Sequence, residues 1–232
     1  MKRLLLSIAT LAALAGTANA APRPHAGAQF RYWEFSNGND LRDWIAYVAL
    51  GPFHVQLEYW DFVRGEDQFR PELGLHLRDA RRSVYDFEWR HERRQERFTI
   101  GTGQILNDRV VGRVSVSPII PEDGPNEVVI SAGADAYWGS YNFASVTVIR
   151  DPRGDDLWVV PLRVRLANER NDWFQVTAVP TTDRTFGWAV DFKYRWLRAG
   201  VERNSRYDFT DLDNTITTIG LEVPWGPDPN LQ

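Results

Sequence analysis

The chain of 232 residues contains no cysteine. This absence excludes disulfide bonds, thiolate nucleophiles, cysteine-based metal sites and lipid attachment through a cysteine. Lysine is nearly absent as well, because it occurs only at Lys2 and Lys193, and almost all positive charge is therefore arginine. The net charge of −4 is small and charges of both signs occur throughout the chain, so we expect no nucleic-acid partner.

Long apolar runs are absent after the first part of the chain, so no later segment is predicted to form a transmembrane helix. The N-terminus itself starts with the positive pair Lys2 and Arg3, continues apolar over residues 4–15, and reaches the small-residue pattern Ala18-Asn19-Ala20. That order of features is typical of a cleaved secretory signal peptide. We predict a signal peptide over residues 1–20, followed by a flexible leader over 21–28.

The remaining chain alternates between apolar and polar residues with a period of two. The clearest examples are residues 53–64, 84–91 and 186–196. A period of two predicts β-strands with one apolar and one polar face, and the turn-forming residues between them recur at the spacing of antiparallel hairpins. We predict one all-β domain, an up-and-down antiparallel barrel over residues 29–225, with a short tail over 226–232. The hairpin spacing gives about twelve strands, within a range of ten to fourteen.

Periodicity alone leaves two architectures open. In a soluble sandwich or barrel the apolar face lines an enclosed core, whereas in an outer-membrane barrel it faces lipid and the polar face lines the lumen. We favour the membrane barrel because the sequence has 10 Trp, 8 Tyr and 12 Phe, many of them near strand ends. Such rings are typical of the aromatic girdles at membrane interfaces. The predicted girdle residues are Trp33, Trp44, Trp138, Trp158, Trp188 and Trp225.

The polar faces of the predicted strands carry charges of both signs, which cross-strand pairing would satisfy inside a narrow lumen. The predicted lumenal residues are Asp86, Glu88, Arg90, Arg163, Arg165, Asp191, Lys193 and Arg195. Pro161 interrupts its predicted strand by removing a backbone donor, and we expect a bulge there. The last strand alternates towards Trp225, which resembles the terminal signal by which barrels are recognised for insertion. We therefore expect outer-membrane lipids, lipopolysaccharide and the outer-membrane assembly machinery as partners.

The segment Gly133 to Phe143 (GADAYWGSYNF) is similar to the YaiO-type outer-membrane β-barrel family. The loop residues Tyr207 to Asp213 before the closing strand and the arginine-rich hairpins add to the resemblance. The resemblance covers about the whole mature chain and implies an exported single-domain barrel in the bacterial outer membrane, without a defined activity. One departure is the tail after Trp225, because such barrels usually end on their last aromatic residue.

Few residues suggest catalysis. His54 and Glu58 share the polar face of one strand, and His76 has the same parity on the next, so these three are candidates for a general base with an orienting carboxylate or for a weak metal site. Unrelated polar lumen residues are the interpretation we favour, and no serine lies in a nucleophile motif. We expect no cofactor and no resident metal.

The predicted function is a non-enzymatic barrel with a structural, loop-binding or narrow-pore role. A barrel-embedded lipid hydrolase or acyltransferase, and a soluble barrel with an apolar ligand, are the alternatives.

Overall fold

The computed structural model describes residues 25–36, 38–78, 82–107, 109–138, 142–151, 157–170, 172–183, 185–203 and 215–225. The predicted signal peptide, the tail over 226–232 and the Tyr207–Asp213 loop lie outside these residues. The strands are β1 (His25–Phe35), β2 (Leu41–Leu50), β3 (Phe53–Phe62), β4 (Gln68–Arg78), β5 (Ser83–Glu92), β6 (Gln95–Asn107), β7 (Val110–Pro121), β8 (Glu127–Trp138), β9 (Asn142–Asp151), β10 (Leu157–Val159), β11 (Leu162–Ala167), β12 (Trp173–Pro180), β13 (Phe186–Tyr194), β14 (Leu197–Arg203) and β15 (Thr215–Trp225). β1 thus starts inside the predicted leader.

The strands form one closed antiparallel sheet, with each strand paired to its neighbours in the chain. Closure comes from β1, which pairs with β15 along Ala26 to Phe35. β10 and β11 both pair with β9 and are the two halves of a single wall strand, so the barrel has 14 strands. The sequence-based count of about twelve was therefore low, although 14 lies within the predicted range. No helix in the described part of the chain is long and apolar enough to cross a membrane.

Pro161 explains why one wall strand is split in two. Its carbonyl accepts a hydrogen bond from Thr147 N at 3.0 Å, but its ring nitrogen has no hydrogen to return. The expected bulge is absent, because β10 and β11 pair with β9 in one unbroken register, Val159 opposite Ile149 and Leu162 opposite Val146. The strand therefore tolerates the missing bond without shifting its side chains between faces.

The two ends of the barrel differ in their connections. One end, which we call the turn end, carries the start of β1 and the end of β15. Its connections are residues 51–52, 79–82, 108–109, 139–141, 168–172 and 195–196. At the opposite end, called the loop end, they are 36–40, 63–67, 93–94, 122–126, 152–156, 181–185 and 204–214. The charged run 91–97 has the composition of a solvated connection but is mostly strand. Only Arg93 and Arg94 form the turn, and both have positive φ, 22° and 53°, as two-residue hairpins with a primed turn require.

The side chains alternate between an apolar outer face and a polar inner face. Leu57 and Phe192 on the outer face are 44% and 42% exposed, whereas Glu58 and Lys193 on the inner face are only 6% and 8% exposed. A water-soluble barrel would show the reverse pattern. A contiguous apolar surface of this extent requires contact with another apolar phase, and it matches a barrel whose outside meets lipid.

Apolar residues on the inner face collect at the loop end in two clusters. One consists of Trp33, Phe35, Leu41, Trp60 and Ile216, and the other of Ile119, Val129, Ile149, Val159 and Val179. The prediction that Trp33 belongs to an outer aromatic girdle is therefore wrong. Trp33 has the inward parity of β1 and is fully buried, with its ring 6.0 Å from that of Trp60.

Candidate functional site: the charged lumen

The strand register brings inward-facing charges of β1–β8 together in two sets of ion pairs, which the stacked rings of His54 and His76 connect and which we together call the acid–base wall. It contains Arg31, Asp43, Glu58, Arg70, Glu72, Asp86, Glu88, Arg90, Glu92, Arg97, Arg113 and Asp135. Each of these residues comes from the polar parity of its strand. Acidic and basic groups are interspersed, and most of these charges have a partner of opposite sign on a neighbouring strand.

The network is dense in the middle of the barrel. Arg31 lies 2.5 Å from Asp43 and 3.3 Å from Glu58. Arg70 continues it, with contacts of 3.3 Å to Glu58 and 3.2 Å to Glu92. Arginine suits this arrangement because its planar fork can pair with two carboxylates at once. The Glu58 carboxylate thus forms ion pairs with two arginines, and it is buried between them.

The network extends towards the turn end through β5, β7 and β8. Arg90 pairs with Glu72, and Arg113 bridges Asp86 at 3.3 Å and Asp135 at 2.9 Å. The Arg113 side chain is 41% exposed, so water reaches the inner face at this end. The lumen is therefore wet at the turn end and apolar at the loop end.

A different set of charges lines β11–β14 near the turn end, and we call it the basic wall: Arg163, Arg165, Lys193 and Arg198. Arg163 is exposed and has no ion-pair partner among the described residues. Arg165 donates to the Gln175 side chain at 3.0 Å. The charges of Arg198 and Arg163 repel it, and those of the inward-facing Asp191 and of Glu222 attract it without an ion-pair contact.

One carboxylate and one ring hold the basic wall in place. Glu222 on β15 accepts from Lys193 at 3.2 Å and from Arg198 at 3.3 Å. The Trp173 ring lies between two guanidinium groups, with Arg165 at 4.4 Å and Arg198 at 5.2 Å from its centroid. Such cation–π contacts stabilise a positive group without neutralising it. Positive charge therefore remains available on this side of the lumen.

The candidate histidines are close together, but their partners differ from those expected. His54 and His76 stack with ring centroids 4.8 Å apart. His54 pairs with Glu72 at 2.8 Å and His76 with Asp86 at 2.6 Å. Glu58 is not part of this group, because a shift of four residues along a strand is about 13 Å, and its carboxylate pairs with arginines instead.

Among the described residues, no hydroxyl group completes a nucleophilic catalytic unit with the histidine pair. In the part of the chain that the structure describes, no serine or threonine hydroxyl is hydrogen-bonded to His54 or His76. Ser115 pairs with Ser131, and Ser117 with Thr99. A hydrolase or acyltransferase of the kind considered above would need a hydroxyl or a positioned water at the base.

Seven of the eight predicted lumenal residues have inward parity: Asp86, Glu88, Arg90, Arg163, Arg165, Asp191 and Lys193. The prediction for Arg195 is wrong, because β13 ends at Tyr194 and Arg195 lies exposed in the following turn with φ of 54°. The positive φ takes its side chain out of the alternation that the sequence pattern assumed.

Four of the predicted girdle residues lie exposed on the outer face: Trp44, Trp138, Trp158 and Trp188. Only the backbone of Trp225 is described, and its side chain lies outside the described part.

Sequence reasoning missed Asp43, Glu72, Glu92 and Trp173. Their parity within each strand was a usable signal, but which charge meets which depends on the register between strands, which parity does not give.

No family model matches the chain, and no curated protein matches it. Among solved structures it is similar to the KdgM porin in complex with disordered oligogalacturonate, with a TM-score of 0.53 and 5% identity over 86% of this chain and 99% of the porin. A triple mutant of the Rhodopseudomonas blastica porin gives a TM-score of 0.51 and 7% identity over 87% and 99%. The resemblance to YaiO-type barrels stays a prediction. What these likenesses show is that the chain has the fold of the porins, a closed antiparallel β-barrel.

Proposed function

We propose that the protein is an exported outer-membrane β-barrel that forms a narrow pore and favours small anionic solutes. The outer membrane is the compartment for which an apolar barrel exterior and a signal-like N-terminus are suited. In that setting lipids and lipopolysaccharide surround the barrel, and the β15 strand is the segment that the assembly machinery recognises.

The observation that carries the proposal is the basic wall. Arg163 and Arg165 face the lumen with no carboxylate within ion-pairing distance among the described residues, and Arg163 is exposed to solvent. A solute anion would supply the missing countercharge, and guanidinium groups bind carboxylates and phosphates in a bidentate manner. The KdgM porin, which shares the fold, was solved with oligogalacturonate, an acidic oligosaccharide. This agrees with a barrel of this fold accepting an acidic solute.

The apolar clusters at the loop end set the expected size of the pore. Trp33, Leu41, Val159 and Val179 are almost fully buried on the inner face there. Side chains packed this closely leave less space for water than the half-exposed charged groups at the turn end. The pore should therefore conduct weakly, and bulky solutes should be excluded.

Planar-bilayer recording of the purified full chain under a salt gradient tests the proposal. We expect single-channel currents with a reversal potential on the anion-selective side, because positive charge faces the lumen. The double variant Arg163→Gln/Arg165→Gln should lower the anion-to-cation permeability ratio about twofold or more.

The matched control is Arg42→Gln, which removes an arginine from the outer face of β2, where Arg42 pairs with Asp61. Its selectivity should equal that of the wild type. A folded barrel that carries no current would refute the pore, and cation selectivity would refute the anion preference.

A further inference from the structure

Gly74 opens a space on the inner face of β4 that its neighbours fill. A Cβ atom at this position would collide with the imidazole of His54, so the ring can lie across β4 only because residue 74 is glycine. In the strand register Gly74 is opposite His54 of β3 and Glu88 of β5. Along β4 its inward neighbours are Glu72 and His76. Four polar side chains therefore surround one position without a side chain.

The donor atoms around Gly74 lie within reach of a single ion. One ligand atom each from His54, Glu72 and Glu88 lies within 4.8 Å of the others. His76 stacks on the His54 ring with an interplanar angle of 12°, and its Nδ1 is fixed by Asp86 at 2.6 Å. This packing limits the orientations open to the His54 ring.

We propose that His54, Glu72 and Glu88 form a binding site for a divalent transition-metal ion of the zinc class, in the lumen near the turn end. An imidazole nitrogen with two carboxylate oxygens suits Zn²⁺, Ni²⁺ or Cu²⁺, whereas Ca²⁺ and Mg²⁺ prefer oxygen alone. Ligand atoms of one Zn²⁺ at about 2.0–2.2 Å lie about 3.3 Å from each other. His54 and Glu72, now 2.8 Å apart, therefore have to separate slightly, and Glu88 has to approach by an ångström or so.

The charged neighbours allow this closure. Arg90 contacts both Glu72 and Glu88 and would have to withdraw from the ion. An alternative partner is present, because Glu92 lies 3.5 Å from the same guanidinium group. The ion would take the place of the proton between His54 Nε2 and Glu72 Oε1. That proton can move to the Nδ1 atom of His54, which has no hydrogen-bond partner among the described residues.

This inference departs from the expectation that the chain has no metal site. The histidines could be predicted from the sequence but the two carboxylates could not, since Glu72 and Glu88 join His54 only through the registers of β3 with β4 and of β4 with β5. The inference does not depend on conduction, because binding can be measured whether or not the barrel passes current.

Calorimetric titration of the detergent-purified full chain with Zn²⁺ tests the site. We expect one ion per chain, and His54→Gln should weaken binding about tenfold or more. Gly74→Ala should also weaken it, because the methyl group pushes the His54 ring away from Glu72 and Glu88. Heat-modifiable mobility on a gel checks that each variant is folded.

His91→Gln is the matched control. His91 forms a pair with Glu96 at the same distance of 2.8 Å, but on the outer face and without a further candidate ligand nearby. Its removal should leave Zn²⁺ binding unchanged. Wild-type affinity in folded His54→Gln, or an equal loss in His91→Gln, would overturn the site.

Discussion

The two sides of the lumen use the same residue type in opposite ways. On the acid–base wall, Arg31 and Arg70 are each held between two carboxylates and are largely buried. On the basic wall, Arg165 contacts a glutamine and two aromatic rings, and Arg163 is exposed without a paired acid among the described residues. Arginine therefore stabilises the barrel on one side and is available to solutes on the other.

The difference has energetic consequences. A buried charge whose partner is removed typically costs about 3–5 kcal/mol, because it cannot regain its hydration. An exposed charge without a partner has little to lose, and surface substitutions usually change stability by about 0.5 kcal/mol or less. Substitutions on the acid–base wall should thus act on stability, and those on the basic wall on solute selectivity.

The largest effect is expected at Glu58, which serves two arginines. Glu58→Gln keeps the shape of the side chain but removes its charge, leaving Arg31 and Arg70 with one acid each. We expect the free energy of unfolding to fall by about 2–3 kcal/mol, because each arginine loses a buried charge-assisted contact but keeps one acid. Denaturant titration of the barrel in detergent or lipid, followed by tryptophan fluorescence, measures this change.

Asp61→Asn on the outer face of the same strand provides the comparison. Asp61 pairs with Arg42 at 3.1 Å where both side chains are partly exposed, so its loss should cost no more than about 1 kcal/mol. Equal costs for the two variants would show that the inner network contributes no more than a surface ion pair.

A smaller effect, on selectivity, is expected at Glu222. This carboxylate is shared by Lys193 and Arg198, and Glu222→Gln would free both cations towards the lumen. The anion-to-cation permeability ratio should rise about twofold, in the direction opposite to the Arg163/Arg165 variant. Reversal potentials in planar bilayers measure it. An unchanged or lower ratio would mean that solutes do not pass the basic wall.

The inward and outward parities could be predicted from the sequence because they depend only on the period of two. Leu57 and Phe192 face outwards and Glu58 and Lys193 inwards, as the alternation indicates. Position along the barrel axis is not encoded in this period. The girdle assignment of Trp33 was based on its place near a strand end and not on its parity, which it shares with the inward-facing Arg31. Trp33 is enclosed with Leu41 and Trp60 rather than exposed at an interface.

The charged run 91–97 shows a second limit. Charge density indicates a solvated connection in most proteins, but in a barrel with a polar interior it is equally compatible with a strand. Glu92 and Arg97 belong to β5 and β6 and join the lumenal network, so only Arg93 and Arg94 remain for the turn. The ion-pair partners themselves required the strand register, which single-strand patterns leave open.

The smallest effect is expected at Asp172, in the turn that connects the strands of the basic wall. Its carboxylate accepts the Arg195 backbone N–H at 2.6 Å and the Asn168 amide at 3.0 Å, and these bonds hold the pKa of Asp172 below its usual value. A lowered pKa in the folded state contributes stability above the unfolded value of about 3.9, and this contribution is lost as the pH falls through the folded value. Asp172→Asn should therefore be slightly less stable than wild type at neutral pH, and the difference in denaturation midpoint should vanish in strong acid.

Asp183→Asn is the control. The pKa of Asp183 is lowered by bonds within its own loop, from Thr181 and Thr185, so this variant should follow the same pH course without loosening the Arg195 turn. A midpoint difference for Asp172→Asn that grows towards low pH would contradict the assignment, because it would mean that the carboxylate destabilises the turn that holds the basic wall.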